Sequence, residues 1–301
     1  MHVTQVSPLV QQLEQDGIAQ VPDLLQPDQL RSMQAAFVSR LNHQRWNDVD
    51  GYEKTERYRH MVQDVLTLDQ GFVDAATDPR VLEALRAYVG DNVQLCEAKG
   101  WRSLPTRSDF HGWHGDMWYD QNKVDYIPRE VKLAIYLTDV KSGAFKYVRG
   151  SHGKQAPRVL RRGEADQFDP KDIVEVLGPA GSAFLFDTSG MHRQSMPILE
   201  DRHAVFLNYH EPHVPLQQED VEYYRYHPLL LNAAFLGDLS EDDRRLLGFG
   251  DKTNYIANFE RQTQHRGFHR LITVLYGAKL YVGQYRERLW GKMKRILRLG
   301  R

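Results

Sequence analysis

The spacing of apolar residues divides the chain into helical and extended stretches. Through the first ninety residues the apolar positions recur every three to four residues, as they do on one buried face of a helix. Helices are predicted from Leu9 to Gly17, from Pro27 to Leu41 and over residues 78–90, with a short extended piece at Ile18–Val21. Residues 1–90 are therefore interpreted as a helical N-terminal wrap.

After Asp91 the period changes to the alternation that is typical of strands. The clearest strand is Val131–Leu137, and turns rich in glycine, proline and serine separate the other candidates, which are Phe145–Val148, Ile173–Leu177, Ala183–Phe186 and Ala204–Tyr209. Many short strands without long helices between them favour an antiparallel sandwich or barrel over a parallel sheet. The predicted fold class is mainly β with flanking helices, and its β core covers about residues 92–213.

Composition limits the classes of protein to which the chain can belong. Hydrophobic residues make up 41% of the 301 positions and charged residues 26%, which excludes a disordered chain. The one cysteine, Cys96, excludes a disulfide scaffold and a cysteine-rich zinc or iron–sulfur site. No apolar run is long enough to span a membrane, and the N-terminus lacks the pattern of a secretory signal. A cytoplasmic location is expected.

The charge is nearly balanced over the whole chain but not along it. Residues 266–301 carry a net charge of +9, with apolar residues at helical spacing, whereas residues 1–265 carry −10. We therefore predict a single domain over 1–265 and a basic amphipathic helical tail over 266–301. Such a tail can dock on the acidic body or make peripheral contact with an anionic membrane, and both interpretations stay open. Nucleic acid is not an expected partner, because no strand-borne pattern of aromatic and basic residues accompanies the tail.

Two histidines and one aspartate are the candidate metal ligands. His114 and Asp116 are two residues apart, so in extended backbone their side chains project to the same face and can hold one metal ion. His192, which follows a predicted strand and a turn, is the best third ligand. Two imidazoles and one carboxylate leave coordination positions open, as in the facial triad of non-haem Fe(II) oxygenases. Arg202, at the start of the next strand, offers a planar guanidinium that suits one end of a dicarboxylate.

The ordered combination of these residues resembles the phytanoyl-CoA dioxygenase family of Fe(II)- and 2-oxoglutarate-dependent oxygenases. The matching pieces follow in the order HGD (114–116), YLTDV (136–140), GSH (150–152), GSAFLFD (181–187), His192 and Arg202. The N-terminal segment DGIAQVPDLLQPDQL is also similar to the opening of that family. The resemblance covers roughly residues 9–213.

The resemblance implies a double-stranded β-helix, a jelly-roll core of the cupin type. It implies that His114, Asp116 and His192 bind Fe(II), that Arg202 binds the distal carboxylate of 2-oxoglutarate, and that O2 is the other cosubstrate. Because the carboxylate ligand is present, oxygenation is favoured over halogenation.

Three further residues are candidates for contact with the cosubstrate. Many members of the family carry a serine two residues after the distal histidine, where this chain has Gln194, and Ser195 is the neighbouring serine. Lys132 and Tyr136 share one face of the strand Val131–Leu137, and that face can point into the barrel. A solvent-facing Lys132 on a half-exposed strand fits the pattern equally well.

The predicted function is an Fe(II)- and 2-oxoglutarate-dependent dioxygenase. It is expected to hydroxylate an unactivated C–H bond of a small organic, lipid-like or natural-product substrate and to release succinate and CO2. Two alternatives remain: a non-catalytic jelly-roll protein with a binding or regulatory role, and a cupin-type metalloenzyme that does not use 2-oxoglutarate. Arg202 discriminates between the 2-oxoglutarate-dependent dioxygenase and the cupin-type metalloenzyme, because only the dioxygenase needs an anchor for a dicarboxylate.

Overall fold

The computed structural model of the chain describes residues 7–42, 58–62, 65–110, 112–161, 163–216 and 239–248, and ten helical positions between 271 and 293. Two compact units are distinguished, one of residues 1–231 with 245–248 and one of residues 232–244 with 249–301. The predicted division between residues 265 and 266 falls outside the described residues and stays a prediction.

Local sequence signals begin and end the N-terminal helices. The helices of the described ranges are α1 (Pro8–Asp16), α2 (Pro27–Leu41), α3 (Gln70–Ala76), α4 (Pro79–Tyr88) and α5 (Glu241–Leu246). Helix α1 ends at Gly17, whose left-handed φ of 75° lets its N–H reach the carbonyl of Leu13. Asp78 caps α4 by accepting hydrogen bonds from the backbone N–H groups of Arg80 and Val81. The predictions of α1, α2 and α4 are confirmed, whereas α3 is too short for an apolar period to reveal it.

Two antiparallel sheets form the body of the first unit. The strands are β1 (Ile18–Gln20), β2 (Arg59–Val62), β3 (Gln94–Ser103), β4 (Glu130–Tyr136), β5 (Val140–Val148), β6 (Ile173–Gly178), β7 (Ala183–Asp187), β8 (His192–Gln194) and β9 (Arg202–His210). The larger sheet has the order β1-β7-β4-β9-β3-β2 and the smaller one the order β6-β5-β8. All five strands predicted within 131–209 are confirmed, and β2 and β8 are too short for their alternation to stand out.

Aromatic side chains of the two sheets pack against one another to form the core. The ring of Phe145 on β5 lies 5.1 Å from that of Phe184 and 4.4 Å from that of Phe186, both on β7. Tyr136 of β4 and Ala204 of β9 belong to the same buried cluster. This inner face is also where the polar positions of the sheets meet.

Helices cover the outer face of the larger sheet. The ring of Phe37 on α2 lies 5.4 Å from that of His203 on β9, and the hydroxyl of Tyr209 donates to the carbonyl of Ala76 on α3 at 3.0 Å. Because both faces are covered, β4 buries almost all of its side chains, and residues 133–136 form an uninterrupted apolar run after the charged Glu130 and Lys132. His203 points to this outer face, away from its neighbour Arg202.

Exposed apolar side chains mark the helical positions of the second unit. Eight of them are exposed by between 48% and 67%, namely Leu271, Val274, Leu275, Val282, Tyr285, Leu289, Trp290 and Met293. Within the parts of the chain that the structure describes, no helix has both the length and the apolar character to cross a bilayer.

Candidate active site

The three predicted metal ligands converge on one point between the sheets. Oδ1 of Asp116 lies 3.5 Å from Nε2 of His114 and 3.6 Å from Nε2 of His192. The two imidazole rings are 4.4 Å apart between centroids. All three ligand atoms lie within 4.8 Å of one another, so a single metal ion can bind them together.

Backbone hydrogen bonds bring the distant ligand segments together. The N–H of His114 donates to the carbonyl of His192 at 3.0 Å, and the N–H of His192 donates back at 2.8 Å. The N–H of Asp116 donates to the carbonyl of Thr188 at 2.8 Å. A Cβ on Gly115 would lie 2.7 Å from the carbonyl oxygen of Ser189, so this close approach requires glycine between the two ligands.

A tightly bonded turn holds His192 in place. The carboxylate of Asp187, at the end of β7, accepts hydrogen bonds from the N–H of Ser189 at 2.8 Å, its hydroxyl at 2.6 Å and the hydroxyl of Tyr88 at 2.8 Å. A Cβ on Gly190 would lie 1.9 Å from the hydroxyl oxygen of Tyr147, which excludes other residues there. The conformation of residues 189–192 is therefore fixed by hydrogen bonds to Asp187 and by the close packing of Tyr147.

The hydrogen bonds of the two histidines set their tautomers. Nδ1 of His114 is 2.8 Å from the carbonyl oxygen of Gly112, and Nδ1 of His192 is 2.9 Å from that of Gly190. Because a carbonyl only accepts, both Nδ1 atoms carry the hydrogen, and each Nε2 turns a lone pair toward Asp116. Burial, and then the neighbouring His114, lower the pKa of His192 to about 3, so this imidazole is neutral and able to bind a metal at ordinary pH.

Lys132 forms an ion pair with the second carboxylate oxygen of Asp116, Oδ2. Its ammonium donates to Oδ2, so Oδ1 is the oxygen that faces the two imidazoles and could bind a metal. Burial alone would raise the pKa of Asp116, but the charge of Lys132 and the two imidazoles hold it well below its usual value. Burial would likewise lower the pKa of Lys132, but Asp116 and Glu130 raise it, so that both partners stay charged. The ion pair thus presents a fixed, ionised, one-oxygen ligand.

We expect Lys132→Met to weaken metal binding about 10- to 100-fold, because Asp116 would lose the group that orients it. Titration of the metal-free protein with Fe(II) under anaerobic conditions measures the effect. The matched control is Lys146→Met, since Lys146 pairs with Glu175 at 3.4 Å on another strand. Equal affinities of a folded Lys132→Met variant and the wild type would show that Lys132 does not position Asp116.

A cleft with a volume of about 130 Å³ opens beside these residues. Residues from one face of β3 and one face of β9 line the cleft. They are Glu97, Lys99 and Trp101 on β3, and Arg202, Phe206 and Asn208 on β9. Glu97 pairs with Lys99 and accepts a hydrogen bond from the amide of Asn208 at 2.8 Å. The cleft is therefore polar and charged on its β3 side.

Arg202 is a buried cation with unused hydrogen-bonding capacity. The residue is 4% exposed, and its Nη1 donates to the carbonyl of Gly143 at 2.7 Å. Its Nε is buried and has no hydrogen-bond partner among the described residues. A buried guanidinium with a spare donor fits a carboxylate ligand.

Two predicted cosubstrate contacts do not lie in the cleft. His192 and Gln194 alternate on β8 and both line the cleft, but Ser195 lies beyond the strand, and its hydroxyl donates to the carboxylate of Glu175 at 3.3 Å. Tyr136 shares a strand face with Lys132 but lies in the aromatic core, where its hydroxyl donates to the carbonyl of Val176 at 2.9 Å. Gln194 takes the position at the cleft that was expected of Ser195.

Several cleft residues are not predicted by the sequence pattern. Arg59 comes from the four-residue strand β2, which gives no recognisable signal. Glu97, Lys99 and Trp101 do alternate along one strand, and this spacing next to the proximal ligands could have identified them.

Comparison with known proteins decides the family. A family model described as phytanoyl-CoA dioxygenase (PhyH) matches residues 13–195, more than half of the chain. The chain belongs to the phytanoyl-CoA dioxygenase family. The predicted enzyme class, an Fe(II)- and 2-oxoglutarate-dependent dioxygenase that uses O2, is confirmed.

Individual relatives agree with this family. An ectoine dioxygenase of Nocardia farcinica is 26% identical over 221 residues, which cover 64% of this chain and 74% of the relative. The crystal structure of EctD from S. alaskensis with 2-oxoglutarate and 5-hydroxyectoine superimposes with a TM-score of 0.56 at 19% identity, covering 72% of this chain and 80% of that one. HygX from Streptomyces hygroscopicus with nickel, 2-oxoglutarate and hygromycin B bound gives a TM-score of 0.52 at 21% identity, with coverage of 71% and 90%. The predicted jelly-roll fold is confirmed.

Proposed function

We propose that this dioxygenase hydroxylates an unactivated C–H bond of a small polar substrate, with His114, Asp116 and His192 as the ligands of iron. Arg202 anchors the distal carboxylate of 2-oxoglutarate. The observation that carries the proposal is the convergence of two imidazoles and one ionised carboxylate in the same cleft as a buried guanidinium with an unused donor. The donor set fits Fe(II), and the guanidinium fits a dicarboxylate.

When bound, iron couples the decarboxylation of 2-oxoglutarate to succinate and CO2 with the activation of O2 for attack on the C–H bond. The protein holds the reactants and excludes water. Arg202 would fix one end of the cosubstrate, and Lys132 would keep Asp116 to a single ligand oxygen. Phe145 and Phe186, which are 5% and 1% exposed, form an apolar wall beside His192. Orientation and shielding are the contributions of the chain itself.

The charged side of the cleft supports a polar substrate. Glu97, Lys99 and Asn208 offer both hydrogen-bond donors and acceptors, and Trp101 offers a flat apolar surface. Relatives that are named for ectoine, or whose structures hold 5-hydroxyectoine or hygromycin B, handle polar small molecules. We therefore place the substrate among polar compatible solutes or natural products, ahead of acyl chains.

Release of succinate tests the proposed function. Anaerobically prepared Fe(II) protein is mixed with 2-oxoglutarate, O2 and, in turn, a panel of polar metabolites and a panel of acyl-CoA thioesters. We expect one polar compound to raise succinate release in step with its own hydroxylation. Substrate oxidation without 2-oxoglutarate would favour the cupin-type alternative, and tight binding of a compound without turnover of the iron-loaded protein would favour a non-catalytic role.

We also propose that the basic tail contacts an anionic lipid surface in the cytoplasm, where ferrous iron and 2-oxoglutarate are available. The net charge of +9 over residues 266–301 and the eight exposed apolar residues of this segment support the proposal. These features combine electrostatic attraction with apolar area that can enter a lipid interface.

Vesicle binding tests the tail. We expect the protein to bind phosphatidylcholine vesicles that contain phosphatidylserine, and Leu275→Glu with Val282→Glu to weaken this binding about tenfold or more, because both residues are exposed. The control is Val159→Glu, since Val159 is 59% exposed in the first unit. No binding by the wild type, or an equal loss in the control, would instead favour docking of the tail on the body.

A further inference from the structure

Three metal-binding side chains outside the iron centre meet on adjacent strands. Cys96 lies on β3, Glu130 on β4 and His210 on β9, and one ligand atom from each lies within 4.8 Å of the others. Strand β9 runs between β3 and β4, and Glu130 is directly opposite His210 in the register. Cβ atoms of such opposite residues are about 4.5–5.5 Å apart, so their ends can share a ligand.

A β-bulge adds Cys96 to this pair. In the register of β3 with β9, Leu95 is opposite Tyr209 and Glu97 is opposite Asn208, so Cys96 is the extra residue between the two pairs. Bulges change the direction of a side chain relative to a regular strand. The bulge therefore explains how a residue next to the cleft-lining Glu97 reaches the pair on β4 and β9.

Alternation places the cluster on the inner face of the larger sheet. Glu130 lies two residues before Lys132, and His210 lies two residues after Asn208. Both of those neighbours line the cleft, so Glu130 and His210 share their face. The indole of Trp118 stacks on the ring of His210 at 4.3 Å and covers it.

Two buried acceptors of the cluster lack partners. Glu130 is 1% exposed and His210 6% exposed, and neither Oε2 of the first nor Nε2 of the second has a hydrogen-bond partner in the described part of the chain. Nδ1 of His210 donates to the carbonyl of Glu211 at 2.8 Å, so Nε2 keeps its lone pair. A buried carboxyl oxygen and a buried imidazole nitrogen without partners are costly in a protein interior, unless a ligand satisfies them.

We propose that Cys96, Glu130 and His210 form a second metal site, which binds a borderline divalent transition ion, with Zn²⁺ as the first candidate. Sulfur, nitrogen and carboxylate oxygen are the donors that zinc prefers. A thiolate and a carboxylate together neutralise its two positive charges, which suits a buried position. The ion would connect β3, β4 and β9 behind the cleft, and its binding does not depend on the iron centre.

The protonation of the metal-free cluster fits this proposal. Burial raises the pKa of the Cys96 thiol and lowers that of His210, so both are neutral. Burial also raises the pKa of Glu130 to about 8, with Lys132 opposing and Asp116 adding to the rise. A divalent ion binds the deprotonated forms of a thiol and a carboxyl, so the affinity should fall as the pH falls.

Titration with Co²⁺ distinguishes the two sites, because only a thiolate ligand gives an intense near-ultraviolet charge-transfer band. We expect metal-free protein to bind two equivalents of Co²⁺, one of which produces this band, and Zn²⁺ to remove the band. His114→Ala should lose the other equivalent and keep the band. If the proposed iron centre does not exist, only the equivalent of Co²⁺ that gives no band would be missing. The two proposals are therefore tested separately.

Variants of the cluster complete the test. Cys96→Ser should abolish the band, and His210→Gln should weaken the affinity for the band-forming ion by about 100-fold or more. If Cys96→Ser does not fold, the wild type and His210→Gln still decide. A wild type without the band, a band lost in His114→Ala, or an unchanged affinity in His210→Gln would each overturn the proposal.

Discussion

Replacement of His192 by alanine is expected to abolish metal loading of the iron centre and to lower succinate release by about 1,000-fold or more. In the proposed site His192 would supply one of three ligand atoms, and the other two side chains would remain without a third. Iron content after anaerobic loading and gel filtration, together with succinate release, measures the effect.

The choice of His192 keeps the result interpretable. Asp116→Ala should also abolish activity, but it would leave Lys132 as an uncompensated buried charge and cost stability. The control is His203→Ala, because His203 packs on Phe37 on the outer face of the sheet. His192→Ala protein that retains both iron and turnover would move the ligand assignment elsewhere.

Replacement of Arg202 by leucine is expected to raise the KM for 2-oxoglutarate by about 100-fold or more, because the distal carboxylate would lose a buried charged partner. Iron binding should not change, since the guanidinium of Arg202 donates to the carbonyl of Gly143 and not to the three candidate ligands. Steady-state kinetics with varied 2-oxoglutarate measures the first effect and iron titration the second.

Arg193→Leu is the matched control for this change. Arg193 also lines the cleft but pairs with Asp109 at 2.9 Å, so its loss should leave the KM for 2-oxoglutarate near the wild-type value. An unchanged KM in Arg202→Leu would show that Arg202 does not bind the distal carboxylate. That result would favour a metalloenzyme that does not use a dicarboxylate cosubstrate.

The convergence of the three candidate ligands could be predicted because their spacing is local or ordered along the chain. His114 and Asp116 share a face by the simple alternation of extended backbone, and His192 follows a strand and a glycine turn that are plain in the sequence. Strand β4 could be predicted because burial on both faces produces a long apolar run. In each case a few residues that are close in the sequence are enough to predict the feature.

The remaining features depend on contacts between segments that are distant in the sequence. Ser195 leaves the cleft because β8 ends at Gln194, and the sequence has no signal for so short a strand. The sequence pattern fits a solvent-facing Lys132 equally well, and only the fold brings Asp116 beside it. The position of Cys96 depends on a bulge, which no periodicity reveals.

The formation of the iron–cosubstrate complex tests the central claim most directly. Protein loaded anaerobically with one equivalent of Fe(II) is titrated with 2-oxoglutarate while the visible absorption spectrum is recorded. The account predicts a charge-transfer band that grows with bound 2-oxoglutarate in the wild type, is absent in His192→Ala, and requires far more cosubstrate in Arg202→Leu. Well-folded, iron-loaded wild-type protein that develops no such band would contradict it.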